Sequence, residues 1–167
     1  AEALGHDPLT VRIRLRVGEL AEKRGKLDLA ERSLIRAFVD AGAIGADEIA
    51  AAAAIQLVYL TGHTQAKFEP AIQWSHAAEL LVRRLDKTDD LLGARLNNAL
   101  AVTHKDHGDY DAAQVLYERI ITIRERILGP EHPDVGMAIG NLANLLATRG
   151  ASDEPLTLYQ RSQAGWR

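Results

Sequence analysis

Apolar and polar positions along this chain repeat as a block. The segment opening at Leu96 returns from Ala138. In that slide Leu100 falls on Leu142, Ala101 on Ala143, Leu116 on Leu158 and Tyr117 on Tyr159, with Gly108 on Gly150 and Arg119 on Arg161. The same shift of 42 carries Tyr110 back to Phe68 and Ala113 to Ala71, and a further step of 41 reaches Leu27 and Ala30. A fixed period of this size marks stacked units, each unable to bury its apolar face alone. The pattern predicts four units, over residues 8–40, 47–85, 89–128 and 133–165, read as one domain spanning 1–167.

Each unit reads as two antiparallel helices joined by a short turn. Asp7 followed by Pro8 is an N-cap with proline at the first helical position, and that helix is expected to run to about Arg24. Gly25 turns the chain, and the partner helix spans Leu27 to Asp40. Asp47 is the expected cap of the next helix, over Glu48 to Thr61, with its partner over Lys67 to Leu85. Asp89 or Asp90 opens the third unit, whose helices end near His107 and Leu128. The run Gly129-Pro130-Glu131-His132-Pro133-Asp134 stops one helix and starts another. The fourth unit runs to Arg149, turns at Gly150 and resumes near Ser152.

Composition narrows the class. The 167 residues are 47% hydrophobic and only 5% aromatic; alanine and leucine carry the apolar share, which favours helix over sheet. Net charge is −3, so the basic footprint that nucleic-acid binding needs is absent. Arg12 to Arg16 form the one local cationic cluster, read as a solvated helix face. There is no cysteine, which excludes disulfides, thiolate metal sites and a cysteine nucleophile and suits a reducing, cytoplasmic setting. The longest apolar run, Ile49 to Leu60, is too short to span a membrane. The chain opens on Ala1 and ends at Arg167, as expected of a segment from a longer protein.

The residues Leu100-Ala101, Ala113 and Tyr117 of the third unit, and Val17-Gly18, Ala30 and Leu34 of the first, resemble the tetratricopeptide repeat. The period and the linker RERILGPEHPDV, from Arg124 to Val135, are similar to the subclass found in kinesin light chains and bacterial regulators. The resemblance implies an all-α fold, an α–α solenoid of about four helix pairs wound into a right-handed superhelix. Gly18, Ala101 and Ala143 would then let paired helices approach closely. Tyr59 stands where that pattern has a small residue, so the second pair is expected to splay or repack around the ring. Ser75 replaces an aromatic, with Trp74 expected to fill its volume. Pro155 takes a small-residue position, tolerable if Ser152 caps the last helix.

In that family the first helix of each unit lines the inner, concave wall. The lining implied here is Arg12, Glu19 and Lys23 from the first unit, Gln56 and His63 from the second, Arg95, Asn98 and Lys105 from the third, and Asn144 from the fourth. Asn97 and Asn141 flank these. Amides and cations at such sites can hydrogen-bond the backbone and acidic side chains of a partner segment. His63 is read as a solvated side chain near the first turn of its unit. The carboxylate clamp of chaperone-binding relatives is not matched: the equivalent positions read Leu15 and Glu19, Gln56 and Leu60, Asn98 and Val102, Gly140 and Asn144.

Catalytic chemistry finds little footing. There is no nucleophile elbow and no phosphate-binding glycine loop. His104 and His107 lack a third fixed ligand for a metal, and His104 takes a position that faces the partner helix. The reading is a non-enzymatic protein–protein interaction scaffold, without cofactor, metal, nucleic-acid or membrane partner, holding a protein or peptide in its groove. An alternative makes it the regulatory arm of a larger signalling protein, such as a bacterial serine/threonine kinase or ATPase regulator. Self-association through the ends is a third role, because the last pair presents Leu156, Leu158, Tyr159 and Trp166 without a following repeat.

Overall fold

The computed structural model describes residues 7–150 and 154–164, and among them every regular element is helical. The chain divides into two compact units, Ala1–Thr88 and Asp89–Arg167. The first holds α1 (Pro8–Lys23), α2 (Leu27–Ala43), α3 (Asp47–Tyr59) and α4 (Phe68–Arg84); the second holds α5 (Leu91–His107), α6 (Tyr110–Leu128), α7 (Pro133–Thr148) and α8 (Glu154–Ala164). Within each unit successive helices pack against one another, α1 on α2, α2 on α3 and α3 on α4, then α5 on α6, α6 on α7 and α7 on α8.

Local chemistry sets the helix starts. The Asp7 carboxylate accepts from the amides of Leu9 (2.9 Å) and Thr10 (3.0 Å), with Pro8 at the first helical position. The Thr10 hydroxyl, 2.6 Å away, and then those amides hold this carboxyl below its ordinary pKa. Asp90 caps α5 by accepting from the Leu91 amide. Asp47 does not cap α3, contrary to the sequence reading: Ala46 is the cap, without a side-chain bond, and Asp47 lies inside the first turn. Its carboxylate is drawn instead to Arg84 of α4, whose Nε lies 2.8 Å away. A bidentate guanidinium outcompetes an amide for the same oxygens.

Turns recur with the period. Gly25 in unit 1 and Gly108 and Gly150 in unit 2 all have positive φ, at +70°, +89° and +82°. At the equivalent place in the second hairpin stands Ala66, with φ +54°, a left-handed conformation that costs an L-residue about 1–2 kcal/mol. Ala66→Gly is therefore expected to stabilise unit 1, by about 0.5–1 kcal/mol once glycine's greater unfolded-state freedom is subtracted. Chemical denaturation reads this directly; a lowered midpoint would contradict it. Between hairpins the same device appears at Gly45 and Asp86 in unit 1 and Gly129 in unit 2, with φ of +69°, +56° and +88°.

Unit 1 closes around close helix approach. An added Cβ on Gly18 would lie 2.6 Å from Leu34 Cγ and 3.3 Å from the Ala30 carbonyl, so α1 meets α2 where only glycine fits. Ala50, Ala51, Ala53 and Ala54 of α3 are all buried. Leu34, Leu57 and Leu60 form the apolar centre with Ala21 and Ala30, and Trp74 packs against it from α4. The Trp74 ring meets Phe38 edge-on at 5.4 Å, while Ser75 is buried and donates to the Ile72 carbonyl (2.8 Å). Trp74 thus supplies apolar volume beside Ser75, as the sequence suggested. Immediately after Tyr59 the helix widens into a π-helical turn, Leu60–Thr64. Inside that turn the buried Thr61 hydroxyl donates to the Leu57 carbonyl at 2.6 Å, satisfying a polar group that burial would otherwise penalise.

Unit 2 is built around Tyr117, Ile120 and Ile121 of α6 against Val135, Ile139, Leu142, Leu145 and Leu146 of α7, with Ala101 and Ala113 where α5 meets α6. The linker between α6 and α7 is tied down at Asp134. His132 Nδ1 accepts from the Asp134 amide (3.1 Å), and Arg124 donates to the Asp134 carbonyl (2.8 Å). Burial pulls the Arg124 guanidinium below its ordinary pKa, with the Asp134 charge opposing that effect. Pro155 is the second residue of α8, inside its first turn; Ser152 lies outside the described residues. Of the residues named for self-association, Trp166 and the Leu156 side chain also lie outside them, and Leu158 packs against the unit 2 core.

Candidate functional site

In unit 1 the candidate residues lie on α1, α3 and the π-helical turn. Arg12, Glu19 and Lys23 fall on one line of α1, and Arg16 joins them at helical spacing. Arg12 and Lys23 are exposed; Glu19 is half-buried and accepts from Arg16 at 2.7 Å. Gln56 is half-buried on α3, and its amide NH2 donates to Glu22 of α1. The Thr64 hydroxyl donates to the other oxygen of the same carboxylate at 2.8 Å. Glu22 therefore bridges α1 to α3 and to the turn that follows it. A second acid, Glu31 of α2, accepts from the Gln65 amide at 2.9 Å.

Glu22, Glu31, Thr64 and Gln65 escaped the sequence reading, because these bonds join residues 34 or 42 positions apart. The available signal was the repeat itself, which brings the ends of neighbouring first helices together. His63 is exposed and lies in the π-helical segment that leads into the turn between α3 and α4. The π-helical turn lays its ring 4.9 Å from the Tyr59 ring, centroid to centroid.

In unit 2, Arg95, Asn98 and Lys105 share α5. Arg95 is exposed, Asn98 and Lys105 are half-buried, and Lys105 Nζ lies 3.5 Å from Asp106. Asn97 beside them is nearly buried, and Asn141 is half-buried on α7. Asn144 is exposed on α7, but its amide oxygen accepts from the Tyr159 hydroxyl of α8 at 2.6 Å, so it is held toward its own hairpin partner. His104 lies against Asp109, with Nδ1 at 3.2 Å from the carboxylate, and the contact spans the α5–α6 turn. Among the described residues no three histidine, aspartate or glutamate side chains gather as a metal site. No helix among them is long and apolar enough to cross a membrane.

A cleft of about 260 Å³ on unit 1, lined by Phe38, Val39, Ala50, Ala77, Leu80 and Leu81 with the Asp47–Arg84 pair beside it, was also missed. Its exposed Val39 and Leu80 belong to second helices, which the sequence reading did not search.

Residues 94–167 match the family model described as tetratricopeptide repeat. None of the curated proteins matches the sequence. Among solved structures, the chain is similar to BtubC (BKLC) from P. vanneervenii, with 25% identity and a TM-score of 0.80. That match covers 96% of this chain and 65% of the other, so the chain spans just under two thirds of that protein's structure. It is also similar to a Podosopora anserina protein described as a kinesin light chain with nearly identical TPR-like repeats. There the identity is 15% and the TM-score 0.70, over 96% of this chain and 77% of the other, a likeness of fold alone. The fold class is accordingly the all-α solenoid of helix hairpins.

Proposed function

We propose that this chain is a non-catalytic scaffold that holds a partner segment along the first helices of its hairpins; the match of residues 94–167 to the tetratricopeptide repeat, a fold that is generally a protein-interaction module, supports this reading. The observation that carries this is the polar face of those helices. Arg12 and Lys23 on α1 and Arg95 on α5 stand exposed, with Asn98 and Lys105 half-exposed beside Arg95. Side chains presented from rigid helices need little ordering on binding, so a groove of this kind favours association through preorganisation. Gln56 and Asn144 are already bonded to Glu22 and Tyr159, so they offer a partner only their remaining donors and acceptors. The setting proposed is cytoplasmic, which the cysteine-free sequence supports.

The test is a triple variant, Arg95→Ala, Asn98→Ala and Lys105→Ala. Proteins retained from source-cell lysate by the immobilised chain would be identified by mass spectrometry, then measured against the variant. The variant should lose the specific partner by about tenfold or more in affinity, with its melting temperature nearly unchanged, since these side chains lie at the surface. Undiminished retention of the same partner would refute the inner-wall assignment.

A further inference from the structure

The repeat slides of 41 and 42 residues set Glu22 of α1, His63 of the π-helical turn, Lys105 of α5 and Ala147 of α7 in one register. At that place unit 1 carries a carboxylate and unit 2 an ammonium. The unit 1 carboxylate is engaged through both oxygens by the following hairpin. One accepts from the Gln56 amide, the other from the Thr64 hydroxyl at 2.8 Å. Glu31 of α2 repeats the arrangement, accepting from the Gln65 amide at 2.9 Å. Both glutamine amides at this end of the second hairpin therefore meet an acid of the first. Glu22 and Gln56 are half-buried, so the bond between them is screened less than one at an open surface.

We propose that Glu22 is a specificity-determining residue of unit 1: it refuses a partner's carboxylate at the Gln56 and Thr64 donors and takes a lysine or arginine there. This deepens the inner-wall reading and rests on it. A partner carboxylate reaching for those donors must displace Glu22 and then remain beside it, and like charges set together reject a partner strongly. A cation meets no such obstacle. A carboxylate offers about four lone-pair sites, and Gln56 and Thr64 occupy two of them, so the rest accept from an ammonium or guanidinium. Arg12 and Lys23, exposed on α1, still draw acids to other points of that helix, so the refusal is local. At the same register in unit 2, Lys105 gives the opposite preference.

The probes are labelled peptides of about ten residues, long enough when extended to cross two helices. One alternates serine with glutamate, the other serine with lysine. Binding is read by anisotropy on a parent chain carrying Arg95→Ala and Lys105→Ala. That background removes the α5 cations, so failure here leaves the α5 test standing. Glu22→Ala should bind the glutamate probe about tenfold tighter than the parent and the lysine probe several-fold weaker. Adding Gln56→Ala should cancel the gain for glutamate, because the freed donor is then gone. Glu131→Ala, which deletes an exposed acid of unit 2, should move neither affinity by more than about twofold. Helical circular dichroism checks the fold. Glu22→Gln keeps the side chain's volume and should shift both affinities in the same directions even if the alanine loosens the hairpin. No gain in either Glu22 variant overturns the proposal. So does an equal gain in Glu131→Ala, which would assign the effect to net charge, or a gain that survives Gln56→Ala. Failure of both probes to bind any of these chains overturns it equally.

Discussion

Tyr117→Ala is expected to destabilise unit 2 by about 3–5 kcal/mol, the range for deleting a fully buried aromatic side chain. Tyr117 is 1% exposed and sits at the centre of the cluster that joins α6 to α7, so the space it leaves is enclosed by other helices and cannot collapse cheaply. For a unit of this size each kcal/mol moves the midpoint by about 4–8 °C, so the melting temperature should fall on the order of 20 °C. Differential scanning calorimetry of the full chain measures it. A drop of only a few degrees would mean that Tyr117 does not anchor this interior.

The second large effect concerns the close approach of α1 to α2. Gly18→Val should cost about 3 kcal/mol, near the top of the range for forcing extra carbon into a packed site. Helix propensity works weakly the other way, since valine is a better helix former than glycine. The clash decides the sign: a Cβ there meets Leu34 Cγ at 2.6 Å and the Ala30 carbonyl at 3.3 Å, and Leu34 is fully buried. Leu34→Ala alone should cost about 2–5 kcal/mol by leaving a hole. Combined with Gly18→Val the loss should be smaller than the sum by more than about 1 kcal/mol, because each change relieves the other. Strict additivity in denaturant titrations would show that the two side chains do not share the site.

Some of this architecture was legible because it is written in local backbone chemistry. Asp7-Pro8, Gly25, Gly108, Gly150 and the Gly129–Asp134 linker each specify a turn or a cap with residues whose geometry admits few alternatives, and each is found in that role. Gly18 was legible for a different reason, as the small member of a repeating packing position. What stayed hidden depends on partners far along the chain. Asp47 reads as a cap until Arg84, 37 residues away, is seen to hold it. Gln56 reads as a free groove amide until Glu22 is seen to take it. The π-helical turn after Tyr59 carries no compositional mark, although the misfit of Tyr59 to the repeat pointed to that place.

The left-handed turn residues act as frame markers. Inserting or deleting one residue between two of them would rotate the intervening helix by about 100°, exchanging its covered side for its wet one. Gaining or losing a whole period leaves every helix facing as before. Viable length changes in this chain should therefore come in complete hairpins, and Ala66 marks the second hairpin's frame as firmly as Gly25, Gly108 and Gly150 mark the others.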